Sequence, residues 1–199
     1  MGKSNVKFNK GRESWLYALS KFSRISDTLK RAIETELEYQ VLPRHSFILQ
    51  PPLISDTLYY MHSGFAMSYV LMEGRKLTKA FWKPGQLVVS FYSMFNQTPT
   101  NEHIQVVEKA EVAALKYSSL KQIIAASQEA QALYYKIMND HYLQGMNEID
   151  DIQMMTAIER FQKLLAIYPN LEQLVSQEAI AHYLSITPQS LSRLKRQHG

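Results

Sequence analysis

The stretch Gln177-Glu178-Ala179-Ile180-Ala181-His182-Tyr183-Leu184-Ser185-Ile186-Thr187-Pro188-Gln189-Ser190-Leu191-Ser192-Arg193-Leu194-Lys195-Arg196 reads as two short helices joined by a tight turn. Ser176 is placed to cap the first helix, with Glu172 and Glu178 near the end that favours acids. Ala181 is small, so a second helix can cross closely. Ser185-Ile186 makes the turn, its isoleucine pointing inward. Thr187 can cap the second helix, and Pro188 takes its first position, where a missing N–H costs nothing. Leu191 and Leu194 then face a core opposite Ile180 and Leu184. Gln189, Ser190, Arg193 and Arg196 are left on the outer face.

Those are the requirements of a helix-turn-helix, whose second helix offers its N-terminal polar side chains to base edges in the major groove. Arginine pairs bidentately with guanine and glutamine with adenine. Thr187, Lys195 and Arg196 suit phosphates, which position without specifying. The candidate DNA-contacting set is Thr187, Pro188, Gln189, Ser190, Arg193, Lys195 and Arg196. A plain helical hairpin with a solvated basic face is the competing reading; spacing, cap, turn and charge together favour DNA.

Upstream, the chain from Gln128 to about Thr156 has no proline and one glycine, Gly145. Tyr135, Met138, Tyr142, Gly145, Ile149, Ile152 and Thr156 recur at steps of three and four, a seam of about three heptads. Such a helix extends about 42 Å. The strand-forming region before it is too short to cover that length, so part of the seam overhangs. A second copy of the chain is the simplest cover; packing against its own barrel is the alternative. Ile158, Phe161, Leu164, Leu165 and Tyr168 mark a further amphipathic helix, closed by Pro169-Asn170.

Residues from about Ser46 to Lys116 read as short strands. Phe47-Ile48-Leu49 runs into Pro51-Pro52. Leu58 to Met61 ends at Ser63-Gly64. Phe65 to Met72 meets a turn at Glu73-Gly74-Arg75, and Leu77 to Trp82 returns, a hairpin pattern. Pro84-Gly85 leads into Leu87-Val88-Val89, and Ile104 to Val107 and Val112 to Leu115 complete the set. Frequent turns between short strands point to an all-β barrel or jelly roll. Before them, about Glu13 to Gln40 reads as helix, with Leu29, Ile33 and Leu37 at spacing four and Ser26 and Asp27 at a start.

Composition sets the bounds. The 199 residues are 46% hydrophobic and 20% charged, ordinary for a globular protein, with a net charge of +4. The absence of cysteine excludes disulfides, thiolate catalysis and iron–sulfur clusters. His45, His62, His103, His141, His182 and His198 show no metal-ligand spacing, so no metal or cofactor is expected. No run is long and apolar enough for a membrane span, and no signal peptide opens the chain, so a cytoplasmic protein without a membrane partner is expected. Gly2 after Met1 is a weak myristoylation pattern with nothing in support. No nucleophile elbow, phosphate loop or triad is present, which argues against an enzyme.

On these motifs the chain resembles the CRP/FNR superfamily of bacterial regulators. Tyr60-Met61-His62-Ser63-Gly64-Phe65-Ala66 is similar to that family's strand-to-glycine motif, Glu73-Gly74-Arg75 to its hairpin, and Phe81-Trp82-Lys83-Pro84-Gly85-Gln86 to the turn before its ligand cassette. Ile180 to Arg193 resembles its DNA-reading unit. The wording is closest to the Crp-like regulators of Bacteroidetes-type bacteria. The resemblance implies an α+β chain: a cyclic-nucleotide-binding-like double-stranded β-helix (jelly roll) with N-terminal helices over 1–127, a dimerisation helix and hinge over 128–156, and a helix-turn-helix over 157–199. It implies a homodimer on operator DNA, responding to a small effector.

The resemblance fails where a cyclic nucleotide would sit. The family's Gly-Glu pair and its later Arg-Ser/Thr pair fall, without a gap, on Val89, Ser90, Thr100 and Asn101. No glutamate meets the ribose and no arginine the phosphate, and a buried phosphate without its cation is costly. Tight cAMP or cGMP binding is therefore not expected. Val89, Ser90, Phe91, Tyr92, Thr100 and Asn101 remain a candidate pocket for an unknown effector, with Tyr69 and Phe95 as further apolar wall; alternatively the aromatics simply fill the roll. The family's β-hairpin wing after the reading helix has no counterpart before Gly199. A ligand-sensing module with vestigial DNA binding is thus the alternative function.

Overall fold

The computed structural model describes residues 15–198. The basic residues Lys3, Lys7, Lys10 and Arg12, and Gly2, lie outside the described residues. Residues 15–20 form helix α1. Ser26 caps α2 (Asp27–Glu36), its hydroxyl accepting from the Leu29 amide at 3.2 Å, and Leu29 and Ile33 point inward. The helical reading to Gln40 is corrected here: Glu38–Leu42 is strand β1, paired antiparallel with a later strand from Glu38↔Ala114 to Leu42↔Ala110. Tyr39 and Val41 favour a pleated surface, and the pairing overrides the spacing that Leu29, Ile33 and Leu37 suggest.

The remaining strands are β2 (Phe47–Leu49), β3 (Thr57–Met72), β4 (Arg75–Trp82), β5 (Leu87–Val88) and β6 (Glu102–Lys116). They form one antiparallel sheet in the order β1-β6-β3-β4, with β2 also on β6 and β5 also on β3. Ser63-Gly64 does not end a strand. β3 runs through it, and the register against β6 shifts on both sides of Ser63 and again after Phe65. Bulges bend and twist a strand, so β3 and β6 curl together into a roll. Glu73 (φ 51°) and Gly74 (φ 76°) make the two-residue turn into β4, the left-handed pair a tight hairpin requires. Met61, Ala66, Val88, Ile104, Val106 and Ala110 are sealed inside the roll.

Helix α3 (Phe91–Asn96) interrupts the strands, and α4 (Tyr117–Ala126) follows β6. α5 (Gln128–Met154) has 27 residues, and the Ser127 hydroxyl accepts from the Ala130 amide at its start. At about 1.5 Å per residue it is about 40 Å long, and only Ala130 and Leu133 along it are buried. Thr156 and Glu159 form a reciprocal capping box that starts α6 (Ala157–Ile167). Then come α7 (Leu171–Leu174), α8 (Gln177–Tyr183) and α9 (Pro188–His198). Among the described residues no helix is long and apolar enough to cross a membrane.

The last four helices do not stand apart from the roll. Phe65, Phe81 and Val107 of the sheet share one core with Phe161, Leu164, Tyr168, Leu171, Ile180, Leu184 and Leu191. The Tyr168 hydroxyl donates to the Phe81 carbonyl at 2.9 Å.

Candidate nucleic-acid interface

The turn between α8 and α9 is built by the residues that predict it. Ser176 accepts from the Ala179 amide at 3.1 Å to start α8. Ser185 takes the left-handed conformation at φ 57°, and the Ile186 amide donates back to the Ala181 carbonyl at 3.0 Å. Thr187 Oγ1 accepts from the Ser190 amide at 3.1 Å, and Pro188 opens α9. Ile180, Ala181 and Leu191 are fully buried where the helices cross, with Leu184 beside them.

The same crossing fixes the outer face. Thr187, Gln189, Arg193 and Arg196 are exposed, while Pro188 and Ser190 are half-buried. Among the described residues no ion pair holds Arg193 or Arg196. Lys195 is different: it is half-buried and its ammonium is paired with the Glu172 carboxylate of α7. A phosphate would have to compete with that carboxylate for it.

Sequence reasoning missed the struts that hold this unit. Arg160 of α6 donates from Nη1 to the Met155 carbonyl at 2.7 Å and from Nη2 to the Leu184 carbonyl at 3.1 Å. One guanidinium thus ties the end of α5 to the end of α8. His182 Nδ1 lies 2.7 Å from the Lys76 carbonyl of β4, and the Tyr183 and Phe81 rings are 5.0 Å apart. Burial raises both the Tyr168 and Tyr183 phenols above their usual range, so both stay neutral at ordinary pH. The capping box at Thr156 and Glu159 was legible in the spacing; the reach of Arg160 to Leu184 was not.

The seam residues Tyr135, Tyr142, Ile149 and Ile152 are 72%, 64%, 48% and 55% exposed on α5. Leu143, Met146 and Met154, which the step pattern passes over, are exposed with them. Met138 and Gly145 are half-buried, and Met138 turns toward α3 and α4 rather than solvent.

The candidate effector residues differ in exposure. Val89 and Ser90 are buried, Phe91 and Thr100 half-buried, and Tyr92 and Asn101 exposed. The loop after α3 is stitched internally: Ser93 Oγ donates to the Thr98 carbonyl at 2.6 Å and accepts from the Ser55 amide at 3.0 Å, and Thr100 Oγ1 accepts from the Glu102 amide at 3.0 Å. The Phe91 ring lies 4.2 Å from that of His141 on α5, whose burial lowers its basicity against the opposing pull of Asp140. Tyr69 stacks on His103 instead, 4.9 Å away. Among the described residues no group of three or more His, Cys, Asp or Glu is placed to hold a metal.

Solved structures place this architecture. A c-di-GMP-responsive global regulator, CLP, from Xanthomonas campestris superposes with a TM-score of 0.63 at 15% identity, covering 86% of this chain and 91% of that one. A protein assigned to the CRP/FNR family of transcriptional regulators, from Eubacterium rectale, gives 0.67 at 17% identity over 87% and 83%. The chain has the CRP/FNR fold. FixK2 from Bradyrhizobium japonicum, at a TM-score of 0.62 and 19% identity over 81% and 83%, shares it. No protein-family profile matches the sequence, and no curated protein does.

Proposed function

We propose that this chain is a cytoplasmic transcription regulator that binds operator DNA as a homodimer under the control of a small effector other than cAMP. The observation that carries the reading is α9 itself. Its Leu191 is fully buried while Gln189, Arg193 and Arg196 face solvent, so the helix is anchored on one side and polar and cationic on the other. In this reading residues 157–199 are the DNA-binding part, 128–156 pair two copies through Tyr135, Tyr142, Ile149 and Ile152, and 1–127 sense the effector. Arg193 and Gln189 read bases, while Thr187, Ser190 and Arg196 hold the backbone. Lys195 joins them by exchanging Glu172 for a phosphate.

The test is selection of duplexes from a random pool, followed by affinity measurement across salt concentrations. A palindromic site is expected, with affinity falling as about the 0.9 power of salt per phosphate contacted. Arg193→Ala should relax the preference at one base position of each half-site, whereas Arg196→Ala should weaken all sites alike. Ile149→Glu should leave monomers that no longer hold the palindrome. Enrichment of no sequence from the pool would sink the proposal.

The loss of a free Lys195 favours a second reading, a ligand-sensing module whose grip on DNA is weak. In that case small-molecule binding survives while no duplex shifts even at low salt.

A further inference from the structure

Between α3, α4 and α5 lies a cavity of about 70 Å³ that is partly open to solvent among the described residues. Phe91 and Phe95 of α3 form one wall, Leu120 and Ile124 of α4 another, and Leu133 and Met138 of α5 a third. Trp15, Leu29 and Ile33 close it from α1 and α2. Every side chain facing it is apolar or aromatic, and no charged group lines it. No polar atom is exposed in the wall: the indole N–H of Trp15 is buried and does not open into the space.

The chemistry of this lining selects its ligand. A phosphate or carboxylate buried here would find neither a cation nor a donor, a costly arrangement. A hydrocarbon surface would gain from leaving water, and an engineered apolar cavity of about 150 Å³ is known to stay dry and bind benzene or xenon. The smaller space here suits a molecule, or an exposed end of one, of only a few heavy atoms. We infer that this cavity is a binding site for a small, uncharged, apolar molecule, and that its occupancy sets the position of α5. The second half follows from how α5 is used. Leu133, Tyr134, Ile137 and Met138 line the cavity; Tyr135 of the exposed seam lies between them, and Tyr142 one turn beyond Met138 on the same helix. A ligand wedged between α3 and α5 therefore presses on the face next to the one offered to a second copy. Identifying the ligand as an effector rests on the regulator reading; its binding does not.

The probes are xenon, followed by ¹²⁹Xe exchange in solution, and cyclopropane, followed by the thermal midpoint of the full chain. Saturating cyclopropane should raise the midpoint by a few degrees, and xenon should show a bound environment. Ala130→Leu and Leu120→Phe each narrow the space with an apolar group; either variant that keeps the parent circular dichroism should lose both responses. Sedimentation of the parent chain with and without cyclopropane should show at least a threefold change in self-association. No midpoint shift at cyclopropane saturation, or equal shifts in parent and filled variants, would overturn the site. A requirement to delete residues 1–14 before cyclopropane binds would overturn it too, by naming that segment as the occupant. Binding without any change in self-association would overturn the coupling to α5. None of these readouts uses DNA, so failure to select an operator would strike only the regulator reading.

Discussion

Gly64→Ala is the most direct test of how β3 and β6 form the roll. A Cβ added at Gly64 would lie 2.5 Å from the Lys109 carbonyl oxygen, 2.6 Å from Ala110 Cα and 2.8 Å from Ala110 Cβ. Two of those atoms are backbone of the paired strand, so no rotamer change relieves the contact. The strands must separate by several tenths of an ångström where Ser63 pairs with Glu111 and Phe65 with Glu108. Overpacking of this kind costs about 1–3 kcal/mol. The backbone adds its own penalty: φ is +92°, and an L-residue held there loses about 1–2 kcal/mol. The sum is about 2–5 kcal/mol, a large part of the ~5–15 kcal/mol that holds a typical domain. Urea unfolding followed by far-ultraviolet circular dichroism reads it directly. With a slope near ~2 kcal/mol per molar, the midpoint should fall by about 1–2.5 M. Gly74→Ala is the control, because a Cβ there meets nothing within 4 Å and only the φ of 76° opposes it. Equal midpoints for the two variants would refute the steric argument and leave only the backbone term.

Tyr168→Phe removes the hydroxyl that donates to the Phe81 carbonyl and should cost about 1–2 kcal/mol in the same assay, with the far-ultraviolet spectrum of the folded chain unchanged. His62 sits between the Tyr39 and Tyr60 rings, and burial holds its imidazole below the usual value against the opposing pull of Glu111. The folded group therefore resists a proton that the unfolded chain accepts near pH 6.5. Its stability contribution is complete above that pH and is lost as pH falls through the depressed folded value. His141 shifts the same way, so unfolding between pH 7 and 5 should flatten partly in His62→Phe and further in a His62→Phe, His141→Phe double variant. Gly145→Ala meets nothing within 4 Å in a single chain and should stabilise the monomer by up to about 1 kcal/mol; a weaker dimer in sedimentation would show that a second helix packs closely there.

What the sequence carried plainly was local. Ser176, Ser185, Thr187 and Pro188 each act through neighbours within five positions, so the turn between α8 and α9 was legible before any coordinates. The steps of three and four along α5 were legible for the same reason. The roll was harder because its signals are split. Ser63-Gly64 has the composition of a turn, yet the glycine is needed for the close approach of Lys109 and Ala110, residues more than forty positions away. β1 was lost to the helix pattern before it, since its only warrant is pairing with β6. The expected effector residues differ in exposure for a related reason. Counting along a family pattern reaches Asn101, which is exposed in the loop before β6; α3 exposes Tyr92 and leaves Phe91 and Phe95 to face the helices.

The shared core between roll and helices constrains any signal that reaches α9. Swinging the helix-turn-helix off the sheet would expose Phe65, Phe81 and Tyr168 together and break the Tyr168–Phe81 and His182–Lys76 contacts. Each large side chain contributes about 1.5–3 kcal/mol when buried, so the rings alone resist by about 5–9 kcal/mol. Reversing an equilibrium from 1:99 to 99:1 already requires about 5.5 kcal/mol of differential ligand affinity, and a few-atom apolar ligand has little surface from which to draw it. A shift of α5 asks for less. Beyond Leu133 that helix is not fully buried, and Arg160 links its end at Met155 directly to Leu184, beside the turn into α9. The less costly route for a signal therefore keeps the shared core closed. In the dimeric regulator proposed above, such a route would change the spacing of the two α9 helices through paired α5 helices rather than by releasing α9 from the sheet.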